Sequence, residues 1–203
     1  MAAMGDLLSR LHLHGAAWRP PAGFTERVFD RVFSRGEPDL LFAVEQEDAY
    51  DARSRRIVSE ARERADRAYA ALPPEDLRVI HCDLWHGNIK VHRGVLQPFD
   101  FEDTVWGYRL HDLAMAMLDL AEDEGVEAYE QLLPAMRRGY ERHLAWPEGD
   151  MVALQMGRAV WRLNWIARHE REWFPDEVAF CADLFERTRK AGRLTDPLRP
   201  TSS

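Results

Sequence analysis

With 203 residues, 46% of them hydrophobic and 31% charged, the chain is long enough to bury a core and too ordered in composition to be disordered. A formal net charge of -8 argues against a nucleic-acid partner and favours a cationic or neutral small molecule. The two cysteines, Cys82 and Cys181, give neither a disulfide framework nor a metal spacing, and no stretch is long enough to span a bilayer. A reducing, cytoplasmic setting without membrane contact is expected.

In chain order, Leu7, Leu8 and Leu11 share one face of the stretch Met4 to His14, which predicts a first helix with Gly15 as its stop. A Pro- and Gly-rich loop follows to Gly23, and then a short helix is expected around Thr25 to Phe33. The charged run from Glu47 to Leu72 predicts a long helix ended by Pro73 and Pro74. Its arginines between Arg53 and Arg67 alternate with acids and read as a solvated face. Short β-like runs then occupy Arg78 to His81, Ile89 to His92 and Val95 to Phe99. The last two join as a hairpin through His92, Arg93 and Gly94, with Pro98 at an edge or a strand end.

Helical periodicity returns at Leu110, Leu113, Ala114, Met117 and Ala121. It recurs at Val126, Tyr129, Leu133, Met136 and Tyr140, where Pro134 should kink or restart the helix. Asp150 is the expected N-cap of a helix reaching His169. On that helix Trp161 and Trp165, four apart, read as core packing in preference to the wall of a cleft. Asp176 to Lys190 predicts the last helix. The expected fold class is mainly α with a small β-hairpin element (α+β), one domain over residues 1–194, and a disordered tail over 195–203.

The chemistry concentrates in His81-Cys82-Asp83-Leu84-Trp85-His86-Gly87-Asn88 and in Phe99-Asp100-Phe101-Glu102-Asp103. Asp83 precedes Asn88 by five positions, and Asp100 follows twelve later at the end of the hairpin. One turn can aim a carboxylate at an attacking hydroxyl and set an amide oxygen against a metal, while the hairpin delivers a second carboxylate. Phosphoryl transfer asks for this set, since its catalysis is mostly positioning and charge neutralisation by Mg²⁺. Mg²⁺ takes hard oxygen ligands and keeps several waters, so two protein ligands suffice. A rival reading has His81, Asp83 and His86 ligate a transition metal. It lacks a third histidine at useful spacing and leaves Asn88 unused. His81 then reads as a packed, hydrogen-bonded residue that shapes the loop. Nothing cationic in sequence argues for a Cys82 thiolate, so Cys82 reads as a spacer.

HCDLWHGN resembles the catalytic loop of the aminoglycoside phosphotransferase and choline kinase-like family, itself similar to the H-R-D-x-x-x-x-N loop of protein kinases. PFDFED followed by WGYRLHDLA resembles that family's metal-binding segment and the helix after it. The opening MGDLLSRLHLHGAAWRPPAGF resembles the first helix and loop of its C-terminal lobe. The resemblance implies the C-terminal lobe of a protein-kinase-like small-molecule kinase, which moves a phosphoryl group from ATP to a small-molecule hydroxyl with Mg²⁺. Carried over by position, it makes Asp83 the catalytic base, and Asn88 and Asp100 the ligands that hold Mg²⁺ and, through it, ATP. His81 and Asp112 become structural braces, and Glu102, Asp103 and His86 lie in the vicinity of substrate or metal. Cys82 stands where Gly is common and His86 where Pro is common.

No G-x-G-x-x-G pattern occurs, and the two lysines, Lys90 and Lys190, both follow the catalytic loop. The family's N-terminal nucleotide-binding lobe is therefore expected to be absent, and the isolated chain to be catalytically incomplete. A homodimer or a complementing chain over the missing-lobe face is the expected partner, besides the small-molecule substrate. The alternatives are a non-catalytic, pseudokinase-like binding or regulatory remnant, and a half-enzyme complemented by a separate nucleotide-binding lobe.

Overall fold

The computed structural model describes residues 1–23, 27–34 and 36–197, and its first helix runs past the glycine expected to stop it. In chain order the elements are α1 (Ala2–Ala17), β1 (Val28–Phe29), α2 (Ala52–Ala70), β2 (Leu77–Ile80), β3 (Ile89–His92), β4 (Val95–Pro98) and β5 (Val105–Tyr108). Four helices follow: α3 (Arg109–Glu124), α4 (Val126–Tyr140), α5 (Met151–His169) and α6 (Phe174–Ala191). They form two compact units, Met1–Asp30 with Leu72–Gly149, and Arg31–Ala71 with Asp150–Ser203.

In the first unit, α1 buries Met4, Leu7 and Leu8 against α4. The two backbones nearly touch. A Cβ on Gly5 would fall inside contact distance of the Met136 carbonyl, and one on Gly139 would meet the Ala2 carbonyl. Gly15 is not a stop, because it lies within α1 and lets the helix ride over the Val79 carbonyl of β2. The helix ends at Trp18, whose N–H caps the His14 carbonyl, just before Pro20 and Pro21. Nor does Pro134 restart α4, which is one helix from Val126 to Tyr140. Met136, Gly139 and Tyr140 are buried beyond the proline, so packing on α1 holds that end where a hydrogen bond is lost.

The helix expected around Thr25 to Phe33 is not found over its described part, and Thr25 and Glu26 lie outside the described residues. Instead Val28 and Phe29 form β1, parallel to β5 with Val28 opposite Trp106. Trp106 N–H donates to the Arg27 carbonyl at 2.8 Å, so this backbone is paired across the sheet and cannot close a helical turn. β5, which periodicity did not separate from the following helix, is the central strand, with β2 antiparallel on its other side. β3 and β4 form the expected hairpin, Ile89 opposite Pro98 and His92 opposite Val95. Its two-residue turn puts Arg93 at φ 49° and Gly94 at φ 76°, the double left-handed turn that matches strand twist. α3 then buries Leu110, Leu113, Ala114, Met117 and Ala121.

The second unit packs α2, α5 and α6 together. α2 starts at Ala52 and not at Glu47, because Asp51 and Ser54 close a reciprocal capping box ahead of which Val44–Ala49 forms a 3₁₀ turn. Asp150 caps α5 through Ala153 N–H at 3.0 Å. Gly192, left-handed at φ 66°, ends α6. The α2 arginines are largely solvated and paired, as in Arg56 with Glu60 and Arg67 with Glu63. Trp165 is 41% exposed, against the core packing expected of it. Trp161 donates its indole N–H to Glu37 at 2.8 Å, and both rings line a surface cavity. Thr195 N–H donates to the Thr188 hydroxyl at 3.3 Å, and residues 198–203 of the expected tail lie outside the described residues.

Candidate functional site

β2 ends at Ile80, and the next residues make a tight, strained turn. Cys82 sits at φ 69°, a left-handed conformation that costs an L-residue about 1–2 kcal/mol. A buried carboxylate holds the turn. Asp112, in the first turn of α3, accepts Cys82 N–H at 2.7 Å on one oxygen and His81 N–H at 3.1 Å on the other. Its second oxygen also accepts His12 Nε2–H at 3.0 Å. Burial pushes Asp112 up, but the His12 hydrogen bond and charge, with the Cys82 N–H, hold it below the usual carboxylate range.

The bracing continues inward. His12 Nδ1 lies 2.8 Å from the Tyr140 hydroxyl, which in turn lies 3.4 Å from Arg109 Nη1. Burial pushes Tyr140 up to about 12, so the hydroxyl keeps its proton. Arg109 Nε donates to buried Asp76 at 2.5 Å, and Arg78 donates to the same oxygen at 2.9 Å. A connected polar network thus runs from Asp76 to the backbone of the loop. His12 and Tyr140 stand 100 and 128 positions from their partners in it. No local sequence signal marks them.

Asp83 follows the strained turn and is half-buried. Leu84, next to it, is 1% exposed and anchors the loop in the core. A 3₁₀ turn, His86–Asn88, then folds the chain back so that Asn88 Nδ2 donates to Asp83 Oδ2 at 2.8 Å and to the Asp83 carbonyl at 2.9 Å. Both bonds use the nitrogen end of the amide, so its oxygen points away from Asp83. Asn88 also ties this loop to the hairpin, because Phe99 N–H donates to the Asn88 carbonyl at 3.0 Å. His81 ties it again, since Nε2–H donates to the Phe99 carbonyl at 3.1 Å and its ring packs on Phe101 at 4.6 Å. Between Phe99 and Phe101, Asp100 is exposed and left-handed at φ 62°.

Glu102 is exposed and Asp103 half-buried on the same loop, which Arg27 clamps by donating to the carbonyls of Glu102 at 2.6 Å and Thr104 at 3.1 Å. His86 turns to Asp123, 3.3 Å away, so it does not converge with His81. Among the described residues no cluster of three or more His, Cys, Asp and Glu side chains could hold a metal. The oxygen set of Asn88 and Asp100 is a different donor set and suits a hard cation that keeps its waters. Two groups the sequence did not place here are His111, whose Nε2 is 3.5 Å from Cys82 Sγ, and Lys90, whose Nζ is 5.0 Å from the Phe99 ring centroid.

The profile of the APH phosphotransferase enzyme family matches residues 1–149. No curated protein matches the chain by sequence. Among solved structures, amicoumacin kinase hAmiN in complex with AMP-PNP, Ca²⁺ and Ami is similar at TM-score 0.67 and 18% identity, over 96% of this chain and 59% of that one. A microcompartment-associated aminopropanol kinase is similar at TM-score 0.72 and 21% identity, over 98% of this chain and 63% of that one. A spectinomycin phosphotransferase, APH(9)-Ia, in complex with ADP and spectinomycin, matches at TM-score 0.53 and 10% identity. The chain spans about three-fifths of the length of the first two.

Proposed function

Because the chain belongs to the phosphotransferase enzyme family, we propose that it carries the catalytic residues for moving the γ-phosphoryl group of ATP to a hydroxyl of a small molecule. The observation that carries this reading is the amide of Asn88 bound to the Asp83 carboxylate at 2.8 Å, on a loop hydrogen-bonded to the residue before Asp100. Asp83 Oδ2 is held by that amide, and the Asp83 carboxylate would accept the proton of the substrate hydroxyl. The hydroxyl oxygen then attacks the γ-phosphorus as the bond to the ADP oxygen breaks. Asn88 Oδ1 and the Asp100 carboxylate would hold Mg²⁺, which supplies charge neutralisation on the phosphates when bound. Asp112 acts as a brace, holding His81 and Cys82 through their N–H groups, and His81 holds the carbonyl before Asp100. Glu102 and Asp103 lie within reach of a cationic acceptor or of metal.

The solved neighbours are named for amicoumacin, aminopropanol and spectinomycin, and an acceptor of that small-molecule class is the one to assay. A radiolabelled-ATP transfer assay over amino alcohols and aminoglycosides, at millimolar Mg-ATP, tests the reading. Acceptor-dependent transfer should fall at least about 100-fold in Asp83→Ala, the usual worth of a positioned base. Equal transfer by native chain and variant would remove Asp83 from its role.

We infer as well that these 203 residues turn over slowly by themselves. Of the two lysines, Lys190 pairs with Glu186 on α6 and Lys90 sits over the Phe99 ring, so neither is fixed as a phosphate contact. A separate nucleotide-binding polypeptide that raises the rate when added would favour the complemented half-enzyme. Nucleotide binding with no transfer under any addition would favour a regulatory remnant.

A further inference from the structure

One face of α5 carries Trp161, Trp165 and Arg168, placed four and then three positions apart, with His169 next to them. Within the second unit, this face and residues 36–38 enclose a surface cavity of about 460 Å³. That volume suits a small molecule. The family profile ends at residue 149, so α5 lies outside it.

The acceptors among the lining side chains are already used or out of reach. Glu37 accepts the Trp161 indole N–H at 2.8 Å on Oε1, and its Oε2 is buried with no surface to offer a ligand. Asn164 spends both ends of its amide, taking Leu40 N–H at 2.8 Å and donating to the Pro38 carbonyl at 3.0 Å. Donors remain. Arg168 is exposed and makes no hydrogen bond or ion pair among the described residues. Trp161 is covered by Arg158, whose guanidinium stands 4.2 Å over its ring, but Trp165 is 41% exposed. The Trp165 indole N–H is also unbonded among the described residues, and its ring touches His169 at 4.9 Å.

A free guanidinium is a planar fork that matches a carboxylate, and the indole beside it offers a flat apolar surface to a ring. An organic cation would meet Arg168 and find the Glu37 carboxylate shielded. Glu37 is the one acid of the lining, and its charge opposes a dianion more than a monoanion. We propose that this cavity binds a planar organic monocarboxylate, its carboxylate on Arg168 and its ring against Trp165. The site does not depend on the phosphotransferase reading.

The test titrates naphthalene-2-carboxylate and 2-naphthamide, the same ring without the charge, calorimetrically into the whole chain at about pH 8 and low salt. The carboxylate is expected to bind saturably one to one, and the amide about tenfold or more weaker, the usual effect of losing a hydrogen bond between charged groups. Arg168→Gln should bind the two compounds alike, and Trp165→Ala should weaken both. Both positions are exposed, so neither variant removes a core contact. Equal affinity of the native chain for the two compounds, or no binding of either, would overturn the proposal. So would a preference for the carboxylate that survives in Arg168→Gln, unchanged affinity in Trp165→Ala, or tighter binding of 2-naphthylmethylammonium.

Discussion

Cys82 shows how a backbone requirement is met by one residue, beside the aspartate proposed as the base. Its φ of 69° points Asp83 out of the core, and a residue without Cβ adopts that conformation freely. Cys82→Gly is therefore expected to leave stability unchanged or raise it by up to about 1 kcal/mol. Cys82→Val, branched at Cβ, is expected to lower it by about 1–2 kcal/mol. Urea unfolding midpoints of the two variants check this, and a valine variant as stable as the native chain would mean that the turn is not strained. Asp112 carries the matching electrostatic device. Its carboxyl titrates below its unfolded value, so the unfolded chain binds more protons as the two values are approached. Stability from Asp112 is complete above about pH 5 and drains away as pH falls through the unfolded and then the folded pKa. Asp112→Asn should lower the urea midpoint at pH 7 and flatten its decline between pH 5 and 3. A decline as steep in the variant would place the acid sensitivity elsewhere. The pairing of Asp83 with Asn88 was legible from their spacing of five, because one turn can fold an amide back onto a carboxylate, and Asn88 donates to Asp83 at 2.8 Å. His12, Tyr140 and His111 were not, because their partners come from other elements and nothing near them in sequence differs from ordinary helix.

Among the elements, the close pair α1 and α4 explains why periodicity found both helices and misjudged their punctuation. Periodicity reports which face is buried, and Leu7, Leu8, Met136 and Tyr140 are indeed buried. It does not report how near the partner backbone comes, which is what Gly5, Gly15 and Gly139 serve. Gly5→Ala would drive a Cβ into the Met136 carbonyl, with the Tyr140 nitrogen only 2.7 Å away. Both obstacles are backbone, so the helices must separate. A loss of about 1–3 kcal/mol is expected, the usual range for overpacking. A melting temperature within a degree of the native value would show that the contact is looser than this. β1 escapes any sequence reading for another reason. Two residues are too few for a strand period, and its existence depends on the pairing of Arg27 and Val28 with Trp106, some 80 positions away. The hairpin, by contrast, carries its own instruction in Arg93 and Gly94, and its register followed from them.

At the scale of the whole molecule, the balance of charge decides how a nucleotide can be held. The chain has an excess of acids, and the loop around Asp100 adds Glu102 and Asp103 to the Asp83 and Asp100 carboxylates. A bare nucleoside triphosphate, itself a polyanion, meets repulsion there. Of the basic groups already placed nearby, Arg27 is bound to loop carbonyls and Lys90 lies over the Phe99 ring. Within the second unit, Lys190 pairs with Glu186, which Arg53 also engages. With Asn88 and Asp100 as the proposed Mg²⁺ ligands, binding would run through that cation and be modest. Calorimetric titration of ATP into these 203 residues is expected to show no binding without a divalent cation. With Mg²⁺ it should show a Kd of about 1 mM, or roughly 4 kcal/mol. Asp100→Ala should remove it, and Lys90→Ala should weaken it about threefold to tenfold, the worth of one partly screened charge contact. Neither variant removes a buried apolar group, and both positions are exposed, so the folded state should persist and the loss can be read as binding. Micromolar ATP affinity without Mg²⁺ would mean that a cationic site elsewhere in the molecule holds the phosphates and that Asp100 is not their anchor.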